Sequence, residues 1–176
     1  VGALTLTSGS INVGTSGNAI TASSYTLNPG TGVNVTVNAV LAGAGITLTK
    51  SGAGTATLSA VNTYTGTTTI SDSIGGTLKL GVDNAISSAS SVYIGNATKL
   101  DLAGHSDTVG SISGTYGKIT SSVSGSPVLT VGGDNSSTTF GGTIENGSAT
   151  SLGITKIGSG SLTLGAGNTY TGMTTI

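Results

Sequence analysis

The sequence is threaded with one short unit: an apolar residue, any residue, a second apolar residue, then glycine. It stands as INVG at 11, LKLG at 78, VYIG at 92, LTVG at 129 and LTLG at 162. In an extended strand, residues two apart point to the same side, and a following glycine lets the backbone turn. Leu78 with Leu80, Leu129 with Val131 and Leu162 with Leu164 are therefore the expected core. Lys79 is expected to face water, as are Asp101 between Leu100 and Leu102, and Asn34 and Thr36 around Val33, Val35 and Val37. Leu162→Asp should then destroy the folding of its segment and Lys79→Asp should cost little. No window carries the 3.6-residue apolar spacing of a helix, and abundant Thr, Val and Ile add a strand bias.

Many short strands separated by Gly, Ser and Asn clusters fit two all-β architectures. One is a right-handed parallel β-helix, a β-solenoid in which successive coils stack along one axis. The other is a pair of tandem β-sandwich domains, because Lys50 and Lys156, equivalent in an internal repeat, stand 106 residues apart, near the ~100 residues of one sandwich. Composition favours the solenoid. The chain has one Phe and no Trp to fill a sandwich core, and its apolar units are shorter than the usual strand of about 5–6 residues. Ala56 and Leu162 occupy equivalent repeat positions, a tolerance suited to coils that adjust against their neighbours. At about 20–25 residues per coil the chain makes about seven or eight coils, a rod about 35–40 Å long at ~4.8 Å per strand.

The repeat is explicit. TKSGAGTATLSAVNTYTGTTTI begins at Thr49 and TKIGSGSLTLGAGNTYTGMTTI at Thr155, giving copies over 49–81 and 155–176 within a single segment, 1–176. Asn62, Tyr64 and Gly66 of the first copy correspond to Asn168, Tyr170 and Gly172 of the second. They read as one scaffold corner: Asn for a turn or an Asn ladder, Tyr to cover a coil edge, Gly to release the backbone. Ile176 aligns with Ile70, after which the first copy continues, and VGALTL at the start resembles GGTLKL at 75–80. The chain is thus expected to be part of a longer array, or a unit that associates end to end.

These copies, with FGGTIENGSATSLGI from Phe140 before the second and GGTLKLG within the first, resemble the autotransporter-associated β-strand repeat of type V secretion passengers and large bacterial surface proteins. The resemblance implies a right-handed parallel β-helix, export to the cell surface and a stalk or adhesive role. It implies no catalytic residues.

The residues themselves give little chemistry. About half the chain is Gly, Ser or Thr, only 6% is charged, and the formal net charge is −1. A globular domain usually carries about a quarter charged residues, so hydroxyls and amides hydrate this surface, and no electrostatic case exists for nucleic acid or an anionic membrane. No apolar run reaches the ~20 residues that span a bilayer, so this segment is expected to insert in none. Asp134 and Glu145 could meet on adjacent coils as a carboxylate pair, but read first as turn and solvating residues. His105 lies two residues before Asp107, but GSGSL around Ser159 and Ser161 lacks a nucleophile elbow. Gly132–Asn135 carries one Gly-Asp element without the period of calcium repeats. No catalytic group, metal or cofactor is expected. Asn34, Asn96, Asn135 and Asn146 head N-x-S/T strings, a modification signal only in a host that glycosylates them. Lys50 and Lys156 are expected as solvated strand-end lysines rather than acidic-glycan ligands.

The leading functional expectation is a structural extracellular rod. An adhesin that binds a glycan or host protein, with Tyr25, Tyr93 and Tyr116 as aromatic candidates, is the alternative, and a carbohydrate-active enzyme comes third.

Overall fold

The computed structural model describes residues 2–12 and 19–176. Val1 of the opening VGALTL, and Val13 and Gly14 of the first apolar unit, lie outside them. The chain winds as a parallel β-solenoid of about eight turns, each presenting three faces. The first face stacks Leu4–Leu6, Tyr25–Leu27, Leu48–Lys50, Thr68–Ile70, Ser91–Ile94 and Ser111–Ser113. A bridge from Gly114 to Phe140 carries it on to Thr138–Phe140 and Leu162–Leu164. The second face is a seven-stranded ladder of Gly9–Ile11, Asn34–Val37, Thr55–Leu58, Thr77–Leu80, Lys99–Asp101, Lys118–Thr120 and Thr143–Ile144. The third face has Ile20–Thr21, Leu41–Gly43 and Thr63–Tyr64, then Asp107–Val109, Val128–Val131, Gly153–Lys156 and Thr174–Thr175. The described strand pairs are parallel, which sets aside the antiparallel sandwich alternative.

Register explains why no fixed repeat length is visible. Leu48, Thr68 and Val92 are stacked partners, with 20 residues between the first two and 24 between the next. Corners absorb the variation while strands stay aligned. On the second face Val35, Ala56, Leu78, Leu100, Ile119 and Ile144 form one inward column, each fully buried. Small Ala56 lies between Val35 and Leu78, so neighbouring coils share the volume. Outward positions form polar rows such as Thr5, Thr26, Thr49 and Thr69 on the first face.

Leu78, Leu80, Leu129 and Val131 are buried, and Leu162 and Leu164 are half-buried and packed against the same core cluster. Tyr25, Tyr64 and Phe140, three of the chain's few aromatic residues, are also in the interior, the two tyrosine rings 6.2 Å apart and tilted by 57°. The Tyr25 hydroxyl lies within hydrogen-bond reach of the Ile20 and Ala42 carbonyls for its one proton and accepts from the Ala22 and Ala42 amides, which satisfies it within the core. It is therefore not a surface aromatic, and Tyr64 is a core residue rather than an edge cover.

Candidate functional site

The repeated motif builds the same local geometry twice. In the first copy the strand Leu48–Lys50 directs both Leu48 and Lys50 inward, in register with Tyr25 and Leu27. Lys50 is 1% exposed, against the expectation of a solvated strand-end lysine. Its stem packs in the core column and its Nζ donates to the carbonyls of Ser51 and Gly52 at 2.8 and 2.7 Å, capping the corner from inside. Burial lowers its pKa to about 8, partly offset by the charge of Asp72. Lys156 repeats the arrangement, donating to the carbonyls of Ile157 and Gly158, and is half-buried. Gly52 and Gly158 follow with φ of +73° and +70°, and a Cβ on either would lie within 2.3 Å of a carbonyl oxygen of the preceding coil.

Asn62 ties three coils together. Its Oδ1 accepts from the Leu41 amide at 2.7 Å, and its Nδ2 donates to the carbonyls of Ala60 and Ala85. Asn168 accepts from the Ile144 amide at 2.8 Å and donates to Ala166. Each asparagine thus reaches the backbone of the preceding coil, in place of an Asn ladder. Tyr64 meets Thr68 at 2.7 Å and Tyr170 meets Thr174 at 2.9 Å, hydroxyl to hydroxyl. Burial raises the Tyr64 phenol above its ordinary range. Gly66 and Gly172 donate to the carbonyls of Ile46 and Leu152, and a Cβ would sit 2.5 and 2.3 Å from those oxygens. Close approach of stacked backbones, not a left-handed φ, requires glycine here.

The two copies do not occupy the same corner of the solenoid. The first starts on the first face at Leu48, whereas the second starts on the third face at Gly153–Lys156 and runs to the first at Leu162–Leu164. Asn62 lies beyond a second-face strand, while Asn168 bonds back to the second face at Ile144. The motif tolerates rotation by one face because its bonds are either local or directed at the backbone of an adjacent coil, which every face offers. Asn62→Ala is expected to lower stability by about 2–3 kcal/mol, since it strands the buried Leu41 amide and leaves the Ala85 carbonyl only the longer bond from the residue 62 amide. Asn168→Ala should cost less, because its site is half-exposed. Chemical denaturation of the two variants side by side checks the ranking.

The titratable groups are dispersed. Asp134 accepts from Ser111 and Ser136, whereas Glu145 pairs with Lys118 at 3.0 Å and accepts from Thr120, so the two acids serve different corners. His105 pairs with Asp83 at 3.0 Å rather than with Asp107. Asp107 instead points into the core in register with Leu129; it is 1% exposed, accepts from the Ile86 amide, and its Oδ1 has no hydrogen-bond partner. Burial pushes its pKa up to about 7 despite the backbone donors around it. Ser159 bonds to Asn135 and the Ser161 amide bonds to Ser137, leaving neither beside His105. Asp101 also departs from expectation: it points outward but is buried, its carboxylate held by the amides of Ala103 and Ser122 where the segment after Thr120 folds over it. Strand parity could not reveal that cover. Among the described residues no cluster of three His, Asp or Glu could hold a metal. Tyr93 and Tyr116 are exposed. Asn135 and Asn146 are engaged in corner hydrogen bonds.

A stacked parallel ladder with capped corners and dispersed acids defines a repeat-built β-solenoid. The model of the passenger-associated-transport-repeat matches residues 48–80 and 154–176, so these two segments, about a third of the chain, are similar to that repeat. Neither curated proteins nor solved structures gave a match.

Proposed function

We propose that this chain is a structural section of a bacterial surface or secreted protein, a right-handed rod that gives length and stiffness. The observation that carries the reading is the unbroken stack of about eight turns in which the transport repeat recurs. Backbone hydrogen bonds run along the axis and lysine or asparagine side chains lock the corners, so stiffness requires no disulfide. The Thr rows keep charge low, which weakens repulsion between neighbouring rods.

At the last turn Ile154, Leu162, Leu164 and Ile176 line an apolar hollow of ≈ 280 Å³. Another coil would cover it, supplied by flanking repeats or by a second copy of the chain through strand addition. Electron microscopy of concentrated protein should show filaments with an axial repeat of about 35–40 Å, the length of eight strand spacings. A strictly monomeric sedimentation profile at all concentrations would rule out the end-to-end form, and a globular scattering profile would rule out the rod.

A further inference from the structure

Three of the five lysines lie on one face. Lys79, Lys99 and Lys118 project from the second face into a groove of ≈ 530 Å³ that runs from Asn34 in the second turn to Glu145 in the seventh. The other two, Lys50 and Lys156, are bonded to carbonyls of their own corners. Asp72, Asp83 and Asp134 do not line the groove, so the small positive charge of an otherwise slightly acidic chain is concentrated there.

Within the groove the charges are not equivalent. Lys118 is neutralised by Glu145, and Asp101 is occupied by two backbone amides. Lys79 and Lys99 form no ion pair among the described residues. They stand one coil and one outward row apart, continuing rows that begin with Thr57 and with Thr55 and Thr77. The surface is therefore a line of hydroxyls leading to two unpaired ammonium groups, over five strand spacings or about 24 Å.

We propose that this groove binds an extended acidic polysaccharide, with carboxylates on Lys79 and Lys99 and sugar hydroxyls on the rows of Thr55, Thr57 and Thr77. A sugar acid polymer alternates hydroxyls with well-spaced carboxylates, matching many hydroxyls and few cations. A nucleic acid fits poorly: it presents a dense line of phosphates and seeks stacking surfaces, and no aromatic side chain lines the groove. A membrane surface fits no better, because the lining has no large apolar side chain to insert.

The test is calorimetric titration of the whole chain with polygalacturonate of uniform length, beside neutral dextran and polyphosphate. Saturable binding to polygalacturonate alone is expected, weakening as salt is raised. The double variant Lys79→Gln, Lys99→Gln should lose at least tenfold in affinity, while Asp83→Asn, outside the groove, should bind as the parent does. Lys99→Gln alone, at an exposed position, provides the same readout should the double variant fail to fold. Absence of binding, binding that survives loss of the lysines, or equal affinity for polyphosphate overturns the proposal. None of these outcomes depends on whether the rods associate end to end.

Discussion

Leu78→Asp is expected to break the rod in its middle. Leu78 is fully buried between Ala56 and Leu100, so the substitution removes a core side chain and sets a carboxylate where no donor waits. Loss of a buried leucine costs about 2–5 kcal/mol, and an unpaired buried polar group adds several more. The sum is comparable to the whole stability of a typical domain, about 5–15 kcal/mol. In a stack held by neighbour contacts, the damaged turn also uncouples the coils on either side. Loss of the cooperative far-UV transition, with fast amide exchange spreading from the fourth turn, is the expected signature. Lys79→Gln on the same strand should stay within about 0.5 kcal/mol of the parent. A Leu78→Asp chain that melts like the parent would refute the inward column.

Asp107→Asn should stabilise the protein at neutral and alkaline pH. The folded-state pKa of Asp107 is raised from 3.8 to about 7 by burial, so between those values the folded chain holds a proton that the unfolded chain has released. Stability from this group is present in acid, falls as pH rises from about 4 to 7, and is gone above. The shift corresponds to a loss on the order of 4 kcal/mol, and the unpartnered Oδ1 gives it a structural cause. Asparagine removes the charge and keeps an acceptor for the Ile86 amide. At pH 8 the variant should gain part of that amount, offset by its amide N–H group where Oδ1 had no partner, and read as a rise of a few degrees in melting temperature.

Lys50 acts in the opposite direction. Its folded pKa is lowered from 10.5 to about 8, so between those values the unfolded chain holds the extra proton and stability rises with pH. The parent should be least stable between pH 7 and 8, where both burial penalties coincide. Asp107→Asn should flatten the acid side of that minimum and leave the alkaline rise. A denaturation midpoint that climbs steadily from pH 5 to 7 in the parent would contradict the assignment of Asp107.

The strands were legible because a period of two needs only neighbouring residues, and their stacking was favoured over a sandwich by the scarcity of aromatic filler. Leu78 and Leu80 share a face whatever lies around them. Lys50 was legible by the same parity, since it lies two residues after Leu48, but its charge argued for water. The structure resolves the conflict: a long stem crosses the core and the ammonium exits at carbonyls only one and two residues ahead. The outward side of Asp101 was equally legible, but its burial was not, because the cover comes from a segment about 20 residues on.

The sequence by itself determined the short strands, their inward and outward faces and the existence of a recurring motif, since these rest on alternation and on direct repetition of residues. Only the tertiary structure decided which face each copy occupies, which tyrosines are interior and which lysines converge in one groove. Those outcomes depend on how many residues the corners of each turn consume, which takes the turn from 20 to 24 residues between adjacent coils of the first face. Corner length sets which later residue is stacked on which earlier one without disturbing any local pattern, so it shows only once the coils are stacked.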